Sequence, residues 1–277
     1  MEYSEIDIRL NKLEPYAEIL IAKLDEINFE SYSECEYGVK GYVQTHKLDL
    51  DALKEIISTV AEHTQVSFEI NKLKQQNWNA IWESSYSPVF INDDCVIRAH
   101  FHKSFPKIKY DLIITPKMSF GTGHHQTTLL MMKEMFNLDF NDKSVLDIGT
   151  GTGVLAILAS KLGAKSLLAI DIEEWAFNNS KENSKLNKVS NIDFIHGDAR
   201  DIKNIKFDFI LANINRNVIL GDVAIYVNCI KDNGEILLSG FLKQDITLIL
   251  EKTKELNLEL VDLKNIDKWQ MLRLKKV

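Results

Sequence analysis

The chain reads Val145-Leu146-Asp147-Ile148-Gly149-Thr150-Gly151-Thr152-Gly153 near its middle, and the apolar residues Val154-Leu155-Ala156-Ile157 follow at once. An apolar run that ends in alternate glycines predicts a buried strand, a tight turn and the start of a helix. Glycines let the backbone turn tightly and let a ligand lie directly on main-chain atoms. The stretch therefore predicts a ligand site over Gly149 and Gly151.

A carboxylate follows at the distance that nucleoside binding requires. Asp171 closes the next predicted strand, 22 residues after Gly149, where a carboxylate can accept hydrogen bonds from both hydroxyls of a ribose. The glycine spacing is Gly-x-Gly-x-Gly, with Asp147 before it, rather than Gly-x-Gly-x-x-Gly. Both details favour S-adenosylmethionine over NAD, because the pyrophosphate of NAD needs the longer loop on a helix N-terminus.

Strands and helices alternate on both sides of this stretch. Strands are predicted at residues 144–148, 166–171, 191–196, 207–214 and 234–239, with helices between them, for example at 153–162 and 174–186. This alternation is typical of a parallel sheet covered by helices on both faces. Two final strands, 258–263 and 269–274, have too short a connection for a crossover helix and must be antiparallel. The pattern predicts an α/β fold with a seven-stranded, Rossmann-like sheet that ends in a reversed edge strand, as in class I methyltransferases.

Two more polar residues stand at predicted strand ends. Asp198 can accept a hydrogen bond from the exocyclic amine of adenine, or it can cap the turn that follows it. Asn213 ends a central parallel strand, where side chains face the ligand crevice. Its side-chain oxygen can orient an acceptor amine toward a methyl donor, which makes Asn213 the catalytic candidate; the alternative is a strand-end turn.

The segment 116–128, Pro-Lys-Met-Ser-Phe-Gly-Thr-Gly-His-His-Gln-Thr-Thr, is the most distinctive part of the chain. Gly121 and Gly123 predict a flexible loop that folds over a bound cofactor, and Thr127 or Thr128 is expected to start the next helix. The adjacent histidines at 124 and 125 suggest a metal, but such neighbours seldom point the same way and no acidic pair stands nearby. We therefore predict no metal.

The first 70 residues have a separate pattern of β-α-β-β-α-β, which is the ferredoxin-like arrangement. A polar segment with two tryptophans, residues 71–83, predicts a linker helix. We thus expect a small N-terminal α+β domain at 1–70, the linker at 71–83 and a catalytic domain at 84–277.

Charge is concentrated in the N-terminal part. Residues 1–65 hold 14 acidic and six basic side chains, a net charge of −8, whereas the remainder carries +1. An acidic module argues against direct binding of nucleic acid, which needs a basic face. It would suit a basic protein partner, although an acidic surface can also serve only solubility.

Other features exclude several classes of protein. Three distant cysteines, Cys35, Cys95 and Cys229, make no disulfide framework and no zinc site. The longest apolar runs are far shorter than a membrane span, and the acidic N-terminus is no signal peptide. We expect a cytoplasmic, monomeric protein without a membrane partner.

These motifs together resemble the bacterial methyltransferases of large-subunit ribosomal protein eleven. Phe-Gly-Thr-Gly-His-x-x-Thr-Thr at 120–128 is close to a signature of that family, while the glycine turn is common to class I methyltransferases. The chain departs from the family at Lys117, where glycine is usual, and at Ser119, where alanine is usual.

The resemblance implies transfer of methyl groups from S-adenosylmethionine to lysine ε-amines and the N-terminal α-amine of the ribosomal protein, with S-adenosylhomocysteine as product. It places cofactor contacts at Thr128, Gly149, Asp171 and Asn213, and substrate recognition in the N-terminal domain. The alternatives are a class I N-methyltransferase acting on another protein, a nucleic acid or a small amine, and a non-catalytic binding module with the same fold.

Overall fold

The computed structural model describes residues 2–73, 83, 86–203 and 205–277. The chain forms two compact units, Met1–Ser85 and Tyr86–Val277. Among the described residues, the first unit has one β-sheet and one apolar cluster, and the second has two sheets and two apolar clusters.

The first unit contains one antiparallel sheet with the strand order β2-β3-β1-β4. Its elements are β1 (Tyr3–Leu10), α1 (Tyr16–Asp25), β2 (Ser31–Cys35), β3 (Gly38–Gln44), α2 (Leu50–Ala61) and β4 (Val66–Leu73). Ile6 and Ile8 of β1 form one buried cluster with Leu20 of α1 and Leu53 of α2. Asp49 caps α2 by accepting hydrogen bonds from the backbone N–H groups of residues 51 and 52.

The linker helix predicted for 71–83 is wrong at its start. Residues 71–73 are the last part of β4 and pair with residues 3–5 of β1. Their polar composition suggested a linker, but a strand at the edge of a sheet tolerates polar side chains because one side faces water. Residues 74–82 of the predicted linker lie outside the described residues.

The second unit holds a seven-stranded sheet and a smaller three-stranded one. The small sheet consists of β5 (Val89–Asn92), β6 (Cys95–Arg98) and β7 (Tyr110–Ile113). The large one is built from β8 (Ser144–Ile148), β9 (Ser166–Asp171), β10 (Ile192–His196), β11 (Phe207–Asn213), β12 (Ile230–Leu242), β13 (Leu258–Ile266) and β14 (Trp269–Lys276). The helices are α3 (Gln126–Met135), α4 (Val154–Lys161), α5 (Glu174–Leu186), α6 (Arg216–Cys229) and α7 (Ile246–Lys254).

The order of the large sheet is β10-β9-β8-β11-β12-β14-β13, and only β14 runs against its neighbours. The seven-stranded class I arrangement is therefore confirmed, but the prediction that the reversed strand lies at the edge is wrong. The strand β13 forms the edge of the sheet, and a two-residue turn at Asp267 and Lys268 returns β14 between β13 and β12. Asp267 has a φ of +51°, as is typical of short hairpin turns.

The large sheet is buried on both faces. Val145 of β8 lies in one apolar cluster, and its neighbour Leu146 lies in the other, as the alternation of a strand dictates. The strand order reverses between β8 and β11, and ligands bind beyond the carboxyl ends of strands at such a switch point. Among the described helices, none has the length and apolar character to cross a membrane.

Candidate functional site

The backbone N–H groups of the glycine turn after β8 all donate hydrogen bonds to other groups of the protein. Gly149, Gly151 and Gly153 have φ angles of +66°, +56° and +82°. The N–H groups of residues 149 and 150 donate to Ile170 O, that of 151 to Asp171 Oδ2, that of 152 to Phe120 O and that of 153 to Thr150 O, all within 3.0 Å. No N–H in 149–153 is left for a pyrophosphate, which agrees with the sequence argument against NAD.

The turn leaves no room for a side chain at its first glycine. A Cβ atom on Gly149 would lie 2.4 Å from Ile214 Cγ2, on the neighbouring strand end. Glycine is therefore required at position 149 by packing against Ile214 as well as by the approach of a ligand. The sequence alone predicted only the approach of a ligand.

We predict that Gly149→Val lowers both stability and cofactor binding. A β-branched residue at positive φ stores about 1–3 kcal/mol of strain, and the displaced Ile214 would distort the site. Thermal unfolding and titration calorimetry with S-adenosylhomocysteine measure the two losses. Gly221→Ala is the matched control, because a Cβ there meets no atom within 4 Å; normal binding by Gly149→Val would make the turn irrelevant to the ligand.

Asp147 is the buried acid below the turn. Its Oδ2 accepts hydrogen bonds from Thr150 Oγ1 at 2.6 Å and from Ala156 N at 3.2 Å, so one carboxylate oxygen fixes both the turn and the first turn of α4. Burial raises the pKa of the Asp147 carboxyl to about 7. Its Oδ1 is buried without a hydrogen-bond partner among the described residues.

Asp171 connects the turn to the end of β9. Its Oδ2 accepts the hydrogen bond from Gly151 N at 2.8 Å, and its Oδ1 accepts one from Glu173 N at 3.0 Å. Each carboxylate oxygen can accept a second hydrogen bond. Asp171 therefore has a structural role that the sequence did not indicate and still has capacity to bind hydroxyls.

A cavity of about 580 Å³ lies over the carboxyl ends of β8, β9, β10 and β11, within the usual size range of small-molecule sites. Its walls include Gly149, Gly151, Asp171, Asp198 and Asn213, five of the six predicted cofactor residues. Large apolar side chains stand partly exposed around it: Met118, Phe120, Ile172, Trp175 and Val218. The cavity thus combines flat apolar surfaces with carboxylate and amide groups.

Asp198 adopts the capping role and also lies in the cavity wall. Its Oδ1 accepts a hydrogen bond from Arg200 N at 2.8 Å at the start of a short 3-10 turn. The Arg200 guanidinium pairs with the same carboxylate and lowers the pKa of Asp198 to about 2. The sequence analysis did not identify Arg200, although a basic residue two positions after Asp198 could have been predicted to pair with it.

Asn213 and Thr128 form a pair. Asn213 Nδ2 donates to Thr128 Oγ1 at 3.4 Å, while Asn213 Oδ1 is buried and has no hydrogen-bond partner among the described residues. Thr128 is fully buried and lies outside the cavity wall. Its observed contact is therefore with Asn213, and its predicted role as a direct cofactor contact stays a prediction.

The loop before α3 is fixed to the glycine turn. Phe120 O accepts from Thr152 N at 2.8 Å, and Gly121 O accepts from Thr152 Oγ1 at 2.6 Å. The loop is therefore hydrogen-bonded to the glycine turn at these two residues, and its folding over a bound cofactor stays a prediction. These bonds also explain the glycine at 151, since a Cβ there would lie 2.3 Å from Phe120 O.

The helix α3 starts at Gln126, one or two residues earlier than predicted, and His125 is its N-cap. The Nδ1 atom of His125 accepts a hydrogen bond from Thr127 N at 3.3 Å. Burial lowers the pKa of His125, which favours the neutral ring that this cap requires. In the part of the chain that the structure describes, no group of three or more His, Cys, Asp or Glu side chains can hold a metal ion.

Two buried asparagines, Asn183 of α5 and Asn187 at its C-cap, hold the segment before the loop and the glycine turn in place. Asn183 Oδ1 accepts from Thr115 N, and its Nδ2 donates to Thr152 O, both at 2.9 Å. Asn187 exchanges hydrogen bonds with both backbone groups of Ile113. Their spacing of four residues puts them on one helix face. The spacing is visible in the sequence, but the hydrogen-bond partners of the two asparagines could not be predicted from it.

The chain is similar to known proteins along nearly its whole length. The family model described as ribosomal protein L11 methyltransferase (PrmA) matches residues 12–277. A ribosomal protein L11 methyltransferase from Phocaeicola vulgatus is 42% identical over 277 residues, 99% of each chain. One from Porphyromonas gingivalis is also 42% identical, over 94% of this chain and 91% of that protein.

Among solved structures, the ribosomal protein L11 methylase from Lactobacillus delbrueckii subsp. bulgaricus is similar with a TM-score of 0.64 and 28% identity. The match covers 69% of this chain and all of that one. The resemblance drawn from residues 120–128 and the glycine turn is confirmed. The chain belongs to the ribosomal protein L11 methyltransferase family.

Proposed function

We propose that this protein methylates ribosomal protein L11, using S-adenosylmethionine to modify lysine ε-amines and the N-terminal α-amine. The observation that carries the proposal is the unpartnered, buried Oδ1 of Asn213 in the wall of the same cavity as Asp171. One group can hold a ribose and the other can orient an amine. The family to which the chain belongs supports the choice of substrate.

The order of the strand ends along the cavity supports an extended arrangement of S-adenosylmethionine. Neighbouring strands lie about 4.8 Å apart, and β10, β9, β8 and β11 are consecutive in the sheet. Asp198 follows β10, Asp171 ends β9, the glycine turn follows β8 and Asn213 ends β11. An adenine near Asp198 and a ribose at Asp171 therefore direct the sulfonium and the amino-acid end toward the turn and Asn213.

The cofactor supplies a methyl group on a positively charged sulfonium. The protein must then deliver a neutral amine, although a lysine amine has a pKa near 10.4 in water. A partly apolar cavity lowers that pKa by desolvation, which helps the amine shed its proton to water. Asn213 Oδ1 can then accept an N–H of the amine and direct its lone pair at the methyl carbon.

We predict that Asn213→Ala separates chemistry from binding. Turnover should fall by about a hundredfold, because misorientation of the amine acts at the transition state, while the affinity for S-adenosylhomocysteine should change little. Asn217→Ala is the matched control, since Asn217 is exposed and lies outside the cavity wall. Equal losses of turnover and affinity would instead make Asn213 a residue that positions the cofactor.

We further propose that the N-terminal unit docks the substrate. Its strand order and its β-α-β-β-α-β sequence of elements support a ferredoxin-like domain. The net charge of −8 in residues 1–65 complements a basic ribosomal protein. We expect a monomeric, cytoplasmic enzyme that needs no metal.

The direct test uses S-adenosylmethionine with a labelled methyl group and a mixture of dissociated ribosomal proteins. The proposal predicts that the label enters one protein, L11, and that Asn213→Ala slows this labelling. Label in ribosomal RNA, or in another ribosomal protein alone, would reject the proposed substrate.

A further inference from the structure

Ser119 has a buried hydroxyl that the fold does not use. The side chain lies in the cavity wall and is 6% exposed, and its Oγ has no hydrogen-bond partner among the described residues. A buried hydroxyl without a partner costs stability. Because Oγ makes no bond, rotation about χ1 can turn it toward a ligand without breaking any contact.

The position of Ser119 along the cavity is fixed by its neighbours. The next residue, Phe120, is bonded through its carbonyl to Thr152 N at 2.8 Å, so Ser119 stands beside the glycine turn. This is the β8 side of the cavity, away from Asp198 and the end of β10. With the ribose at Asp171, the amino-acid end of S-adenosylmethionine extends toward this side.

That end of the ligand carries an α-carboxylate, and neither the glycine turn nor a free basic side chain in the described part of the wall is available to bind it. The backbone N–H groups of 149–153 are already bonded within the protein. Among the described residues of the wall, Arg200 is the only basic side chain, and it is paired with Asp198 at the opposite end. Four acidic residues also line the cavity: Asp171, Glu173, Asp198 and Asp222. A carboxylate here therefore needs a neutral donor.

We infer that the Ser119 hydroxyl donates a hydrogen bond to the α-carboxylate of S-adenosylmethionine. The inference rests on the proposed function, because it assumes that this cofactor occupies the cavity. It assigns a binding role to Ser119, which the sequence analysis did not identify as a cofactor residue. The unused hydroxyl then gains its partner only when the ligand is bound.

The test compares two ligands and two proteins by titration calorimetry. The ligands are S-adenosylmethionine and decarboxylated S-adenosylmethionine, which keeps the sulfonium and the amine and lacks only the carboxylate. Ser119→Ala in the full chain should weaken binding of the first ligand about tenfold, as expected for a hydrogen bond to a charged group. Binding of the second should change by less than about twofold, since the contact is already missing.

Asp171→Ala is the control, because it should weaken both ligands by the same factor through the ribose that they share. Ser119→Ala should also unfold at no lower temperature than the wild type, since it removes an unpartnered buried hydroxyl. Equal losses for the two ligands, or no loss for either, would overturn the role of Ser119 and leave the proposed function standing. A wild-type protein that binds neither ligand would overturn both.

Discussion

Asp171→Ala should raise the dissociation constant for S-adenosylmethionine by about a hundredfold or more. Two ribose hydroxyls lose a charged acceptor, and each such hydrogen bond contributes about 1.5–3 kcal/mol. The variant also removes the hydrogen bonds that the Asp171 carboxylate accepts from Gly151 N at 2.8 Å and from Glu173 N at 3.0 Å. The turn under the ligand is therefore loosened as well, and the free energy of unfolding should fall by about 1–3 kcal/mol.

Titration calorimetry well below the unfolding midpoint separates these two effects. Asp193→Ala is a suitable control, because Asp193 is exposed on the neighbouring strand β10 and does not line the cavity. That variant should bind the cofactor normally. A folded Asp171→Ala protein with unchanged affinity would remove Asp171 from the binding site and leave it only its structural role.

Removal of residues 2–85 should abolish most methylation of L11 while leaving cofactor binding intact. Among the described residues, the two apolar clusters of the second unit contain only residues from 89 onward, so this unit has an apolar core of its own. If the acidic unit docks a basic substrate, its loss should lower kcat/KM for L11 by about tenfold or more, as for other electrostatically steered encounters. The Kd for S-adenosylhomocysteine should be unchanged.

Salt provides the matching control for this deletion. Raising the ionic strength from about 0.01 M to about 0.15 M shortens the screening distance from about 30 Å to about 8 Å, and should slow the full-length enzyme on L11. The truncated protein should show a much weaker salt effect, because the charged unit is missing. A truncated enzyme that methylates L11 at the full-length rate would show that the charge of −8 serves only solubility.

Local sequence patterns predicted the elements under the site well. The bounds of β8, β9 and α5 agree with the predicted residues. For the two strands the reason is that an apolar run followed by glycine or closed by aspartate marks the strand end clearly. The position of β14 between β12 and β13 was not predictable in this way. It depends on which strand pairs with which, and no feature of residues 269–276 alone encodes that choice.

The sequence predicted which residues line the site but not the hydrogen bonds among them. Sequence placed Asp171 and Asn213 at strand ends that meet at one cavity, since parallel strands share an edge. It could not show that Asp171 accepts a hydrogen bond from Gly151 or that Thr128 accepts one from Asn213. It also could not show that Thr152 is hydrogen-bonded to the loop at Phe120 and Gly121. Each of these contacts joins residues at least 20 positions apart, so it exists only once the chain is folded.

The central claim is that this protein methylates amines of ribosomal protein L11, and intact-mass spectrometry of purified L11 tests it most directly. After incubation with the enzyme and S-adenosylmethionine, L11 should gain mass in steps of one CH₂ unit. Peptide mapping should place these steps on lysine side chains and the N-terminal amine, and Asn213→Ala should slow their appearance. An L11 whose mass stays unchanged, with an enzyme shown to bind S-adenosylhomocysteine, would contradict the account.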